Sequence, residues 1–322
     1  MNFKILKNSP KVLQEFLGYL QTIKGKSPKT VEEYFLDLRT FFRYLKLSKG
    51  LVPEKILFEE ITIDDVTIDI LKEISLTDIY AYLNYILLER GNIATTRARK
   101  ISSLKSFFNY LTNKTNQLEY NPTKELDMPK KKSSLPKFLT LEQSIDLLKS
   151  INGPFKERDY CIITLFLNCG MRLSELVGIN LNDIRNNNTL KVTGKGNKER
   201  IVYLNAACVK SLERYMKVRP IDGIKDKKAL FISKQKRRIS PKTVQYLVYK
   251  YLSDIGLEGQ GYSVHKLRHT AATLMYQHGN VDIRILKDIL GHANLGTTEI
   301  YTHLSSKQIE NAVSSNPLSK IK

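Results

Sequence analysis

The stretch TLKVTGKGNKERIVYL, residues 189–204, carries the clearest β-strand signal of this 322-residue chain. Two runs rich in strand-forming residues flank a Gly-Lys-Gly-Asn turn, which is typical of a hairpin. Lys195 lies at the tip of the turn, between two glycines that let the backbone approach a ligand closely. The stretch predicts a small hairpin in a mainly α-helical chain.

Helical patterns surround the hairpin on both sides. Upstream, Thr140 and Gln143 form a capping box, and the strongly apolar stretch RDYCIITLFLNCG predicts a helix that stops at Gly170. Downstream, helical patterns cover roughly residues 205–218, 241–255, 264–278 and 281–290. Residues 140–322 are therefore predicted to form a mixed α+β domain.

The first 128 residues predict a separate helical domain. VLQEFLGYLQTI carries a helical apolar stripe, and Ser27-Pro28 opens a second helix through KTVEEYFLDLRTFFRYL. LTDIYAYLNYIL and TTRARKISSLKSFFNYL predict two more helices. Prolines and the run Lys130–Lys132 then indicate an extended linker over residues 129–139.

Basic residues of the last N-terminal helix and of the linker are candidate DNA contacts. A solvated helix face explains those of the helix equally well, whereas the linker lysines would suit a strap along a phosphate backbone. The candidates are Arg97, Arg99, Lys100, Lys105, Lys130 and Lys131.

The charge distribution points to a polyanionic partner. The formal net charge is +20. Residues 1–128 hold 19 Lys and Arg against 16 Asp and Glu, whereas residues 129–322 hold 33 against 16. Such an excess is more than solubility requires, and it favours nucleic acid as the partner.

The remaining composition favours a cytoplasmic protein with no membrane partner. No apolar run approaches the roughly 20 residues needed to cross a bilayer, and the N-terminus lacks a signal-peptide pattern. The three cysteines show no CxxC spacing and fit buried thiols in a reducing compartment.

All five histidines lie between residues 265 and 303, which indicates a functional site. His265 and His269 have the i, i+4 spacing of zinc proteases, but Lys266 replaces the glutamate that such a motif uses as its base. With Arg268 between the two histidines, an anion site is favoured over a metal site, and no cofactor is expected.

Two arginines, a lysine, two histidines and a tyrosine form a set that can cleave a phosphodiester without metal. Arginines can bind both non-bridging oxygens and stabilise the charge that builds up in the transition state. A phenol needs that positive field and a base to become a nucleophile. A lysine can protonate the leaving oxygen, and the product would be a covalent phosphotyrosine ester.

These motifs closely resemble those of the tyrosine recombinase, or phage-integrase-like, family, and most of all those of the Xer recombinases. GMRLSEL resembles the first-arginine box, which implies that Arg172 clamps the phosphate and that Glu175 is its supporting acid. VTGKGNKER resembles the β-hairpin box and implies that Lys195 is the catalytic lysine and general acid.

The last two boxes of the family are similar to stretches near the C-terminus. HKLRHTAATLM implies that His265 is an acid/base and that Arg268 is the second phosphate clamp. ILGHANLGTTEIYTH implies that His292 hydrogen-bonds the phosphate and that Tyr301 is the nucleophile. Every catalytic position holds the residue type of the family, in the order of the family.

The resemblance extends over nearly the whole chain and implies an architecture and an assembly. It implies an N-terminal SAM-like, core-binding domain and a C-terminal catalytic domain that close on duplex DNA as a C-shaped clamp. It also implies a tetramer on two recombination sites, strand exchange through a Holliday junction, and a C-terminal tail that docks on a neighbouring subunit.

A basic stretch before a predicted helix is similar to the major-groove-reading element of the family, although a solvated loop explains it equally well. Its candidate DNA contacts are Lys236, Arg237, Arg238, Lys242 and Gln245.

Several functions stay open on the residues alone. An architectural DNA-binding protein would not need the full catalytic set, a type IB topoisomerase shares the chemistry without pairing two sites, and a metal-dependent nuclease would lose activity with a chelator. Within the family, chromosome-dimer resolution and integration or excision of a mobile element are both open. A heterotetramer with a second recombinase and activation by a septal DNA translocase are also open.

Overall fold

The computed structural model describes residues 8–53, 55–129, 137–194, 197–279 and 281–291. Contacts divide the chain into two compact units, Met1–Ser133 and Ser134–Lys322. The linker bounds and the C-shaped clamp stay predictions, since most of the linker lies outside the described residues.

The first unit is helical throughout its regular structure, as the apolar periodicity predicts. Ser27 begins the longest helix by accepting a hydrogen bond from the Thr30 backbone N–H at 3.3 Å, and Ser75 forms a capping box with Asp78. The α-helices described in this unit are α1 (Lys11–Thr22), α2 (Pro28–Ser48), α3 (Ile68–Lys72), α4 (Leu76–Leu88) and α5 (Ala94–Asn113).

An aromatic core holds these helices together. The rings of Phe16 and Phe107 meet edge to face with centroids 5.3 Å apart, and Phe41 meets Phe108 in the same way at 6.1 Å. All four side chains are fully buried. Burial of a large aromatic side chain stabilises the fold by about 1.5–3 kcal/mol, so this core accounts for the packing of the first unit.

The second unit contains the predicted hairpin within a small antiparallel sheet. Strands β2 (Thr189–Thr193) and β3 (Glu199–Tyr203) pair in register from Thr189 opposite Tyr203 to Thr193 opposite Glu199. A third short strand, β1 (Ile184–Arg185), pairs with β2 and was not expected from the sequence.

Helices pack around this sheet at the predicted positions. The capping box of Thr140 and Gln143 is confirmed, and Gly170 ends the apolar helix with a left-handed φ of 57°. The described helices of this unit are α6 (Leu141–Lys149), α7 (Lys156–Cys169), α8 (Leu173–Gly178), α9 (Ala206–Val218), α10 (Pro241–Asp254), α11 (Val264–His278) and α12 (Ile283–Leu290).

The described part of the chain therefore has the predicted fold class, mainly α-helical with one small sheet. The apolar α7 is the central helix of the second unit, and it packs against α9 and α11. Within the described ranges, no helix is both long and apolar enough to cross a bilayer.

Candidate active site

Arg172 lies where the chain leaves α7 and begins α8. Its backbone N–H donates to Glu175 Oε2 at 2.8 Å, and its Nη1 donates to Glu175 Oε1 at 2.7 Å. The Glu175 side chain is fully buried, whereas 34% of the Arg172 side chain is exposed. The carboxylate therefore fixes an arginine whose head still faces solvent, as an anion-binding residue requires.

Glu175 also accepts a hydrogen bond from Arg200 Nη2 at 2.9 Å. Burial raises the pKa of the Glu175 carboxyl, but the hydrogen bonds and charges of Arg200 and Arg172 outweigh burial, so the pKa lies below its usual value. Glu175 is therefore ionised at neutral pH and can support Arg172.

Three arginines donate to three successive carbonyls at the C-terminal end of α12. The bonds are Arg200 Nη1 to Ile289 O (2.6 Å), Arg268 Nη2 to Leu290 O (2.7 Å) and Arg172 Nη2 to Gly291 O (2.9 Å). The end of a helix has unpaired carbonyls and the negative pole of the helix dipole, both of which favour cations. This helix end therefore gathers the arginines on the residues that directly precede His292.

Arg268 is the most deeply placed of the three, with 2% of the residue exposed. Its Nη1 donates to the carbonyl of Gly170 at 2.6 Å, so the guanidinium joins the end of α7 to the end of α12. A side chain at Gly170 would begin 2.7 Å from Leu290 Cδ2 and 3.9 Å from Arg268 Cγ. Glycine at this position keeps the two helix ends close enough for the arginine to bridge them.

His265 lies in the first turn of α11 and reaches the surface. Partial burial lowers the pKa of its ring below the usual value. Nearby positive charges act in the same direction, and they belong to Arg268, Lys266 and Arg172. The ring is therefore neutral at physiological pH and can accept a proton. It lines the same surface cleft as Arg172 and Gln245.

The rings of His265 and His269 have centroids 4.7 Å apart and meet edge to face. Among the described residues, no group of three or more His, Cys, Asp or Glu could hold a metal ion. His292 and His303 lie outside those residues, so metal-independent cleavage stays a prediction.

Lys195, His292 and Tyr301 lie outside the described residues. Gly194 and Gly291, the described neighbours of Lys195 and His292, border the arginine cluster. A Cβ built on Gly194 would lie 3.2 Å from Glu175 Oε1. A Cβ on Gly291, which has a φ of 64°, would lie 2.8 Å from Arg200 Cδ. The structure therefore brings together Arg172, Glu175, His265 and Arg268.

Two of the predicted DNA contacts in the first unit pair with Asp37. Arg99 keeps 43% of its side chain exposed, so its DNA contact stays a prediction. Lys100 is buried, and its Nζ lies 3.2 Å from Asp37 Oδ1, while Arg99 Nη1 lies 2.5 Å from Asp37 Oδ2. Burial lowers the pKa of Lys100, and Asp37 only partly opposes this effect. For Lys100 the predicted phosphate contact is wrong, because its ammonium faces the interior.

The other N-terminal candidates are closer to solvent. Arg97 Nη1 donates to the carbonyl of Asn92 at 2.6 Å, and Lys105 lines an open surface cleft beside Asn109. Their DNA contacts stay predictions, as do those of Lys130 and Lys131, which lie outside the described residues.

Arg238, a predicted DNA contact in the second unit, is bonded to several groups of the fold. Its Nε donates to Asp226 at 2.8 Å, and its Nη2 donates to Asn180 at 2.6 Å. Its Nη1 donates to the carbonyls of Val177 and Ile179, each at 3.0 Å. These bonds use most of its donors within the fold, so Arg238 has a structural role, and its DNA contact stays a prediction.

Other candidates in this basic stretch remain available to DNA. Lys242 and Gln245 are exposed on α10, together with Tyr246 and Tyr249, and Arg237 is exposed in the preceding loop. Lys236 folds back so that its Nζ would lie 3.0 Å from a Cβ on Gly223. Direct DNA contact by the exposed residues stays a prediction.

Arg200 is the site residue that the sequence reading missed. It lies within the quoted VTGKGNKER stretch and shares the inward-facing side of β3 with Val202. An arginine on the buried side of a strand is uncommon unless it is paired, and that register was the available signal.

Comparisons with known proteins agree with this geometry. The model of the Phage integrase family matches residues 137–308, and that of the Phage integrase, N-terminal SAM-like domain matches residues 57–115. A tyrosine recombinase XerC from Caldanaerobacter subterraneus subsp. tengcongensis is 57% identical over 311 residues, which are 97% of this chain and 88% of that protein. The chain therefore belongs to the phage integrase family. It is a tyrosine recombinase, an enzyme that breaks and rejoins DNA at specific sites.

Other relatives are more distant but cover as much of the chain. Tyrosine recombinase XerD of Proteus mirabilis is 32% identical and covers 93% of this chain and 90% of its own length. A crystal structure of the XerH recombinase bound to its palindromic difH substrate has a TM-score of 0.70 at 22% identity, over 94% of this chain and 84% of that one. This last similarity shows the shared fold.

Proposed function

We propose that Tyr301 attacks the scissile phosphodiester and forms a 3′-phosphotyrosyl intermediate. The tyrosine oxygen bonds to phosphorus, the bond from phosphorus to the 5′-oxygen breaks, and that oxygen takes up a proton. The ester linkage is conserved through the step, so rejoining needs no ATP. The observation that supports the proposal most is that Arg172 and Arg268 donate to adjacent carbonyls at one helix end while His265 lines the cleft beside Arg172.

Each residue has a role that its chemistry fits. Arg172 and Arg268 bind the non-bridging oxygens and stabilise the transition state, and Glu175 orients Arg172. His265, neutral at physiological pH, accepts and returns a proton. Two further roles fall to residues outside the described ranges: Lys195 protonates the leaving 5′-oxygen, and His292 hydrogen-bonds the phosphate.

The partner in this proposal is a double-stranded recombination site, and the assembly is a tetramer that exchanges strands through a Holliday junction. The positive charge of residues 129–322 supports DNA binding. An apolar groove on the second unit, which Ile201, Tyr203, Met275 and Ile285 line, supports the tetramer. In this proposal its occupant is the C-terminal tail of a second copy, in whose sequence the apolar Ile309, Ala312 and Val313 have helical spacing.

The biological role that we propose is resolution of chromosome dimers. The relatives named XerC and XerD support this role over mobile-element integration. In this proposal the protein acts in the cytoplasm at the nucleoid, either as a homotetramer or with a second recombinase, and a septal DNA translocase activates it.

Incubation with a nicked suicide substrate in EDTA tests the chemistry. We expect a covalent protein–DNA adduct on a denaturing gel from the unaltered protein and none from the Tyr301→Phe variant. The variant should bind DNA as the unaltered protein does. Failure of the unaltered protein to form an adduct, or an adduct that persists in Tyr301→Phe, would contradict the proposal.

A further inference from the structure

Arg200 joins three elements of the catalytic unit from a mostly buried position on β3. Only 15% of its side chain is exposed. Nη2 donates to Glu175 Oε2 on α8 at 2.9 Å, and Nη1 donates to the carbonyl of Ile289 on α12 at 2.6 Å. One planar head thus connects the acid behind the first phosphate clamp with the helix end that precedes His292.

Arg200 bonds its neighbours through its two outer nitrogens and not through Nε. Its Nε is buried and has no hydrogen-bond partner among the described residues. A buried donor without a partner is unfavourable, whereas an apolar side chain in the same place would leave no such donor. The two outer nitrogens are therefore the part of Arg200 that the site requires.

Arg200 packs so closely against Gly291 that a side chain at that position would displace it. A Cβ on Gly291 would lie 2.8 Å from Arg200 Cδ and 3.3 Å from its Nε. Gly291 is also the residue whose carbonyl binds Arg172 Nη2 at 2.9 Å. The arginine side chain therefore packs closely against the residue whose carbonyl binds Arg172.

We propose that Arg200 is a positioning residue for DNA cleavage, which holds the Glu175 carboxylate and the end of α12 in the arrangement that Arg172 and the segment entering His292 require. This inference rests on the proposed function of the site. Arg200 acts through Glu175 and α12 and does not itself contact the phosphate. A lysine could supply the charge but not both bonds, because its single ammonium lacks the planar fork of arginine.

If Arg200 has this role, its removal should change how the cleavage rate depends on pH. Arg172, from the helix of Glu175, and Arg200, from β3, are the charged groups whose interactions lower the pKa of that carboxyl. Without Arg200, only Arg172 would oppose the effect of burial on the Glu175 carboxyl, so the pKa of Glu175 would rise. Protonation would then weaken the support of Arg172 at a higher pH than in the unaltered protein.

Single-turnover cleavage of the suicide substrate, measured from about pH 5.5 to 8, tests this role. We expect Arg200→Gln to lower the cleavage rate roughly tenfold or more, since a displacement of about 1 Å in an active site can cost about 100-fold. The deficit should widen as the pH falls. Arg200→Lys should restore part of the rate and shift the acidic limb back, and DNA affinity should change little in both variants.

Arg185→Gln is the matched control, because it removes an exposed arginine from the same sheet. It should cleave with the rate and pH profile of the unaltered protein. A deficit in Arg200→Gln that is equal at every pH, or no rescue by Arg200→Lys, would show a purely structural tether and overturn the inference. If Arg200→Gln fails to fold, the acidic limb of Arg200→Lys decides the question. Absence of a Tyr301 adduct in the unaltered protein would instead overturn the proposed function itself, and the inference with it.

Discussion

The two units each contain a buried carboxylate that holds two cations, and they use this arrangement differently. In the first unit Asp37 accepts from Arg99, Lys100 and the Ser103 hydroxyl, the last at 2.8 Å. In the catalytic unit Glu175 accepts from Arg172 and Arg200. Both carboxylates are almost fully buried.

The difference lies in what the cations face. The Lys100 side chain is 9% exposed and points into the helical core, so the pair around Asp37 ties α2 to α5. The Arg172 side chain is 34% exposed, and its Nη2 donates to the carbonyl of Gly291 at the end of α12. Exposure alone does not separate the two uses, since Arg99 beside Asp37 keeps 43% of its side chain exposed. Asp37 differs in holding a buried lysine within one helical unit, whereas Glu175 holds two of the three arginines that meet at the end of α12.

The largest effect should come from Arg268→Ala in the catalytic unit. Loss of one preorganised donor to transition-state charge costs about 100- to 1000-fold in rate, so single-turnover cleavage should nearly vanish while DNA binding is kept. Arg219→Ala is the control, because Arg219 also donates to backbone carbonyls, those of Leu230, Pro220 and Ala229, yet lies outside the candidate site. If both variants cleaved DNA at the same rate, Arg268 would contribute no more to cleavage than an arginine outside the candidate site.

The next effect concerns stability rather than catalysis. Asp37→Ala leaves the buried Lys100 without its acid, and breaking a buried pair in this way costs about 3 kcal/mol in the free energy of unfolding. Denaturant unfolding measures the loss. Asp69→Ala is the control, since Asp69 pairs with Lys72 at the surface and its removal should change stability little. A small effect of Asp37→Ala would show that this pair is not part of the core.

The smallest effect distinguishes an exposed lysine from a buried one. Lys242→Ala should weaken DNA binding and lower the slope of log affinity against log salt by about 1, because one phosphate contact is lost. Lys100→Met should leave that slope unchanged, since its ammonium faces Asp37. Binding titrations at several salt concentrations measure both variants. A lowered slope in Lys100→Met would restore Lys100 as a DNA contact.

Local signals in the sequence were sufficient to predict most of the fold. The helices that follow the hairpin are predicted within about two residues of their observed ends, which is the usual uncertainty of helix boundaries. Capping residues and apolar periodicity act over one or two turns, so they can be read without tertiary contacts. The short strand β1 was missed because two residues carry no pattern of their own.

The side on which a residue faces was harder to predict. On β3, Ile201 and Tyr203 are exposed while Arg200 faces inward, which is the reverse of the usual apolar-inward pattern. The partners of Arg200 are Glu175 and Ile289, which are far away in sequence. Lys100 was misassigned for the same reason, since Asp37 becomes its partner only in the folded chain. The bond of Arg238 to Asp226 could not be predicted for the same reason.

Mass-spectrometric mapping of the covalent adduct is the most direct test of nucleophilic attack by Tyr301. The protein is trapped on a suicide substrate in EDTA, digested with nuclease and protease, and its modified peptide is sequenced. We predict a nucleotide joined through phosphate to Tyr301 and to no other tyrosine. A nucleotide on another residue, or an adduct that forms only when divalent metal is supplied, would contradict the account.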